Sequence, residues 1–286
     1  MSKMICAIVQ KLLDDCYMLD FCNLYAKLSK RDLLDILCYV TELTRLNILC
    51  NIKYIKLTDD QRMQAAQMAQ DLYNHKPWSK IVGYKDFCDL QFKVNEHVLD
   101  PRLETEEIIK LAQELVQNGD LKLDTNSNVL DLGTGSGCIL IALLKNFYCK
   151  GVGVDICLNA LEIAKYNAQK HKVNAQFIQS DWFTNAPVKQ FDLIVSNPPY
   201  IGLGEEVGEE VKYDPKLALY GKNDGFEHYA AIISSIEPYM RQWAIFEVPV
   251  GLQQKFTHLA AQHNIYTYWH KCSADNILLA VCEKIL

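Results

Sequence analysis

The chain has 286 residues, half of them apolar and 22% charged, with a formal net charge of -6. This composition fits one large or two moderate packed domains and excludes a disordered chain. The acidic balance speaks against nucleic acid as the main partner, because affinity built on phosphate contacts needs a basic protein, and no apolar run approaches the ~20 residues of a membrane span.

Residues 1–80 read as helical. Ile8, Leu12 and Leu13, then Leu33, Leu34, Leu37 and Val40, recur at helical spacing. Thr58-Asp-Asp-Gln61 has the form of a capping box and opens a helix through Tyr73. No glycine precedes Gly83, so a small helical bundle is predicted. A structural appendage and a partner-binding domain both fit that pattern. Across 81–100 the pattern changes. Phe87, Leu90, Phe92, Val94 and Val98 stand among polar residues, as in a short hairpin linking two domains. Asp100-Pro101 marks a break before an amphipathic helix carrying Ile108, Ile109, Leu111, Ala112, Leu115 and Val116.

From residue 127 strands and helices alternate. Strands are predicted at 129–132, 152–155, 175–179, 192–196, 243–248, 266–270 and 277–283, and helices near 138–146, 160–172, 227–236 and 252–263. That order predicts an α/β domain over 101–286 with a mostly parallel seven-stranded sheet covered on both faces. The last two strands have no helix between them and are expected to pair antiparallel at the sheet edge.

The first strand of this domain runs into Asp131-Leu-Gly-Thr-Gly-Ser-Gly137 and then into an apolar helix. Glycines allow a ligand close to the backbone, and the helix N-terminus suits a polar or anionic group. Gly133, Thr134, Gly135, Ser136 and Gly137 are therefore candidate ligand contacts. Asp155 ends the next strand, where a carboxylate can accept from both hydroxyls of a ribose. The spacing also admits a dinucleotide, or a merely structural turn. Asp131 beside the loop disfavours a pyrophosphate and suits a ligand with an ammonium and a sulfonium, such as S-adenosylmethionine. Asp181 and Trp182, after the third strand, fall where an adenine would lie. Trp182 can pack on that ring, or simply on the core.

Asn197-Pro-Pro-Tyr200 follows the buried strand ending at Ser196. Two prolines make a stiff corner with free carbonyls. The Asn197 side-chain oxygen and the Pro198 carbonyl can accept the two N–H donors of a planar NH2 group, with Tyr200 stacked on its plane. Pro199 completes the corner. An ordinary turn after a strand also fits the tetrapeptide. Joined to the glycine loop, it points to methyl transfer onto an amide or an exocyclic aromatic amine. Positioning and charge stabilisation would then carry most of the catalysis.

The 11 cysteines are scattered without a Cys-x-x-Cys pair, and the 7 histidines do not cluster, so metal catalysis has no support. Asp14 and Asp15 interrupt the early apolar stretch, unlike a secretory signal. Reduced thiols in the cytoplasm are the expectation.

In this order the motifs resemble amino-group methyltransferases that use S-adenosylmethionine. More specifically, the chain resembles the HemK-like peptide chain release factor glutamine methyltransferases. The linker motif of that family appears as Pro101-Arg-Leu-Glu-Thr-Glu106, its glycine loop as 131–137, its acidic ribose ligand as Asp155, and its acidic-aromatic pair as Asp181-Trp-Phe183. Asp214-Pro-Lys-Leu-Ala-Leu-Tyr-Gly221 and Asp224-Gly225 resemble the segment that follows the catalytic turn. The resemblance implies S-adenosylmethionine as donor, S-adenosylhomocysteine as product, and no metal. It implies the glutamine amide of the Gly-Gly-Gln loop in class I release factors as acceptor. Asn197 and Pro198 would hold that amide, with Asn197 also near the donor, and the helical domain would help dock the factor. The alternative is a nucleic-acid adenine or guanine methyltransferase with its base flipped onto Tyr200. The chain departs from the family at Leu103, Lys222, Pro249 and Lys80, and Ser273-Ala-Asp-Asn276 lacks the usual arginine. These departures bear on docking more than on chemistry.

Overall fold

The computed structural model describes residues 28–51 and 54–284, so Ile8, Leu12 and Leu13 lie outside the described residues. The chain divides into two compact units, 1–82 and 83–286.

Within the first unit, α1 (Lys30–Thr41) opens on Ser29 and buries Leu33, Ile36, Leu37 and Val40, one face of a helix. The short α2 (Arg45–Asn51) adds Ile48 to the same core. α3 (Asp59–Tyr73) starts where the capping box predicts. The Thr58 hydroxyl accepts from the Gln61 N–H, and the Gln61 side chain accepts from the Thr58 N–H. Gln61 Nε2 also donates to the Val40 carbonyl at 2.8 Å, tying α3 to α1. α4 (Trp78–Val82) closes the unit.

The second unit begins with an antiparallel hairpin, β1 (Tyr84–Phe87) and β2 (Leu90–Lys93). Phe87 and Phe92 are buried in the core of this unit, beside Ile108 and Ile109 of α5 (Glu106–Asn118). There follow β3 (Asn128–Leu132), α6 (Cys138–Phe147), β4 (Lys150–Asp155), α7 (Leu158–His171), β5 (Ala175–Gln179) and β6 (Phe191–Ser196). After β6 come α8 (Lys216–Leu219), α9 (Glu227–Ser235), β7 (Met240–Pro249), α10 (Gln253–Gln262), β8 (Ile265–Lys271) and β9 (Ile277–Lys284).

The seven strands lie in the order β5-β4-β3-β6-β7-β9-β8. The first five are parallel. β9 runs antiparallel between β7 and β8, as the missing helix between the last two strands leads one to expect. Alternate residues of each central strand feed opposite cores. Val129, Leu193, Val195 and Ile245 face α5 and α6. Leu130, Leu132, Ile194 and Phe246 face α9 and α10. Every residue from Cys138 to Leu144 is buried, so α6 shows no polar face in its first two turns.

This topology sets the place of the site. From β3 the chain winds outward through β4 and β5, then returns to β6 on the other side of β3. The connections leaving β3 and β6 therefore diverge, and a crevice opens at the carboxyl ends of the strands. Among the described residues, no helix is long and apolar enough to cross a membrane.

Candidate active site

The crevice holds two cavities that share Leu99, Asn197 and Ala218 on their walls. One is lined by Gly133 and Gly135 after β3, Asp155 at the end of β4, Asp181 and Trp182 after β5, and Asn197 and Pro199 after β6. The other is lined by Pro198 and Tyr200 together with Arg102, Glu104 and Glu247. The structure thus brings the glycine loop, the acidic strand end and the proline corner together. Asn197 stands on the boundary between the two spaces.

Other residues of the predicted site sit behind these walls. Asp131 is fully buried, and its Oδ2 accepts from Thr134 Oγ1 at 2.6 Å. Burial pushes its carboxyl up to about 7, against the opposing effect of the Thr134 hydroxyl. Ser136 is buried too, and its carbonyl accepts from Asn167 Nδ2 on α7 at 2.9 Å. A Cβ on Gly137 would meet Ile141 Cδ1 at 3.0 Å and Ala164 Cβ at 3.3 Å, so this glycine serves the approach of α7 to α6. These four residues shape the loop rather than line the cavity.

Asp155 is better placed for a ligand. Its Oδ2 accepts from the Gly135 N–H and its Oδ1 from the Cys157 N–H, both at 2.9 Å. Each carboxylate oxygen has a second lone pair, so ribose hydroxyls can still be received there. Burial raises its pKa, and the backbone N–H donors oppose that rise. The Trp182 ring lies over the loop. A Cβ on Gly133 would be 3.5 Å from Trp182 Cζ3, and the His228 ring meets Trp182 edge-on at 5.5 Å.

These residues fit a sulfonium nucleoside. The wall offers a flat aromatic face and a carboxylate with spare lone pairs. Among the described residues, no three His, Cys, Asp or Glu side chains gather as a metal-binding group.

The proline corner is held by distant residues. Asn197 Nδ2 donates to Thr105 Oγ1 at 3.1 Å, and Thr105 Oγ1 donates to Glu247 Oε2 at 2.6 Å. Ile201 N donates to the Leu219 carbonyl at 3.0 Å, and Gly221 N to the Ile201 carbonyl at 2.9 Å, so the segment after α8 runs beside the turn. Arg102 pairs with Asp214, which also accepts from the Asp100 N–H. Burial, then the nearby Glu247 charge, push the Tyr200 phenol well above its usual range and keep it neutral.

The Methyltransferase small domain family matches residues 107–211. The release factor glutamine methyltransferase of Buchnera aphidicola is 34% identical over 251 residues, covering 85% of this chain and 88% of that protein. The chain belongs to the release factor glutamine methyltransferase family. It is also 36% identical to the bifunctional methyltransferase of Rickettsia bellii over 63% of its own length, but spans only 37% of that longer protein. A methyltransferase structure from Pyrococcus furiosus shares the fold, with a TM-score of 0.53 at 17% identity, over 77% of this chain and 98% of that one.

Sequence reading missed several residues that this member of the release factor glutamine methyltransferase family gathers at the crevice. His97, Leu99, Pro215, Leu217, Ala218 and His228 line the first cavity. Pro215, Leu217 and Ala218 lie in the Asp214–Gly221 segment that carries the family resemblance, but no chemistry is written in it, and His97, Leu99 and His228 belong to no motif. Thr105 and Arg102 lie inside the Pro101–Glu106 motif, where the sequence assigns them no role, and Glu247 stands two residues before Pro249, one of the departures from the family pattern. Leu103 is 72% exposed and Lys222 is exposed, so these two departures from the family pattern lie at the surface.

Proposed function

We propose that this chain transfers a methyl group from S-adenosylmethionine to the side-chain amide nitrogen of the glutamine in the Gly-Gly-Gln motif of a class I peptide chain release factor. The site would lie in the cytoplasm, where such factors act. One observation carries the reading: Asn197 borders both the cavity lined by the glycine loop and the cavity lined by Pro198 and Tyr200. A group held by Asn197 is thereby presented from one cavity to the other.

When bound, S-adenosylmethionine supplies a methyl group activated by a sulfonium. Asp155 would receive the ribose hydroxyls and Trp182 the adenine face. Asp181, exposed at the rim, would accept from the exocyclic amine. On the acceptor side, Asn197 Oδ1 and the Pro198 carbonyl would accept the two amide N–H donors. Tyr200 would cover the plane of the amide. An amide nitrogen is a poor nucleophile, so the rate would come from orientation and from acceptors aimed at the positive charge that develops on nitrogen. The helical unit is proposed to help dock the release factor.

Mass spectrometry tests this. The full chain is incubated with S-adenosylmethionine and either a release factor or adenine-containing DNA and RNA. A gain of one methyl on the Gly-Gly-Gln peptide is expected. Methylation of nucleic acid alone would replace the reading with the exocyclic-amine alternative.

A further inference from the structure

Glu247 has no task in the methyl-transfer reading, yet it is 1% exposed and sits on β7 beside the acceptor corner. Burying a carboxylate is costly unless something compensates. Its Oε2 receives the Thr105 hydroxyl at 2.6 Å, and the same hydroxyl oxygen receives Asn197 Nδ2 at 3.1 Å. Thr105 stands at the N-cap of α5 but makes no side-chain capping bond. Capping is the usual use of threonine there. Here the hydroxyl is spent on Glu247 and Asn197 instead.

The direction of this chain of bonds follows from proton count. A threonine hydroxyl has one proton to give. An ionised Glu247 has none, so Thr105 must donate to it. The Thr105 oxygen is then left only as an acceptor, and the group it accepts from must be the NH2 of Asn197. The Asn197 oxygen is turned the other way. We propose that Glu247 and Thr105 are positioning residues that fix the orientation of the Asn197 amide, so that its oxygen and not its NH2 meets the acceptor. The proposal rests on the reading of Asn197 as the group that holds the acceptor NH2. An Asn197 turned end for end would set NH2 against NH2, two donors face to face.

Protonation of Glu247 would undo the direction. A neutral Glu247 can donate to Thr105, whose hydroxyl is then free to donate to the Asn197 oxygen. Burial raises the Glu247 carboxyl to about 7, opposed by Thr105, Asn197 and Arg102 and assisted by Glu104. Tyr200 and Tyr229 also face it, the latter donating to the Glu247 carbonyl at 2.8 Å, and Cys272 senses its charge. Both phenols are pushed upward and stay neutral, so neither changes charge near neutral pH.

The test uses Thr105→Val, Thr105→Ser and Glu247→Gln in the full chain. Thr105→Val and Glu247→Gln are expected to lower kcat on the order of 10- to 100-fold, the range for loss of an oriented polar contact, with donor affinity unchanged by calorimetry. Thr105→Ser keeps the hydroxyl and restores most of the rate. The double variant falls no further than Thr105→Val, because both changes break one chain. In the wild type kcat declines as pH drops through about 7, and Glu247→Gln removes that decline. A Thr105→Val enzyme with full kcat, or rate losses that multiply in the double variant, would overturn the proposal. A second readout does not depend on turnover: the Asn197 side-chain NH2 signals in a nitrogen-15 spectrum, assigned by their loss in Asn197→Asp. They should shift in both Thr105→Val and Glu247→Gln. If the wild type methylates no release factor but the signals shift, the functional reading fails and the positioning role stands. Signals unmoved by either variant would sink the positioning role whatever the activity.

Discussion

At the scale of single residues, the proposed reaction divides the work between Asn197 and Asp155. Asn197 makes no hydrogen bond to the glycine loop; its bond goes to Thr105 on the acceptor side. Replacing it with alanine should therefore cost turnover about 10²- to 10³-fold, as for a lost oxyanion-hole donor, while leaving donor affinity intact. Single-turnover rates and calorimetry separate the two effects, and equal losses in both would contradict the division. Asp155 is the reverse case. Besides any ribose contact, it holds the N–H groups of Gly135 and Cys157 at 2.9 Å. Hydrogen bonds to a charged group are worth about 1.5–3 kcal/mol, so Asp155→Ala should weaken the donor by tenfold or more. Calorimetry that finds unchanged affinity would remove Asp155 from the donor site.

At the scale of elements, the proline turn depends on a segment that follows it. Gly225 has φ +76°, and a Cβ there would lie 2.1 Å from the Tyr200 carbonyl oxygen. Only a glycine lets this backbone pass so close behind Tyr200. Gly225→Ala is expected to destabilise the fold by about 2–4 kcal/mol, from the strain of positive φ and the clash together. Folded enzyme that remains should show a raised KM for the acceptor with little change in donor affinity. Urea midpoints and acceptor titrations check both parts. Elements of this kind were unevenly legible. The strands and helices of the second unit were visible because period and turn chemistry are local signals, and the capping box at Thr58–Gln61 announced α3 correctly. The contact between Gly225 and Tyr200 was not visible, since nothing in the spacing of Asp224-Gly225 says which backbone will approach it.

At the scale of the whole molecule, the site carries a cost in stability that depends on pH. Asp131 and Glu247 would ionise near 4 in an unfolded chain but are both held up to about 7 in the fold. The folded state thus binds their protons more tightly. Their contribution to stability is fully present below the unfolded values and is lost as pH rises through about 7, on the order of 4 kcal/mol for Asp131 and 3 kcal/mol for Glu247. On the proposed positioning role, activity should run the opposite way, because an ionised Glu247 would be the form that orients Asn197. Urea unfolding across pH 5 to 8 should show wild-type stability falling relative to Glu247→Gln, which has no proton to release at this position. A constant difference between the two proteins would show that Glu247 does not titrate in that window.

The amino-acid order by itself determined the alternation of strands and helices, the glycine loop, the acidic strand end and the proline corner. Each of these is written within a few neighbouring residues, where steric and hydrogen-bonding preferences act. Only the tertiary structure decided that Asp131 and Ser136 lie behind the loop while Asp155 and Trp182 face the cavity. It also decided that Thr105 reaches Asn197 across 92 positions and Glu247 across 142. Burial and charge state are products of packing between distant segments, and no local pattern specifies which carboxylate the folded chain will enclose.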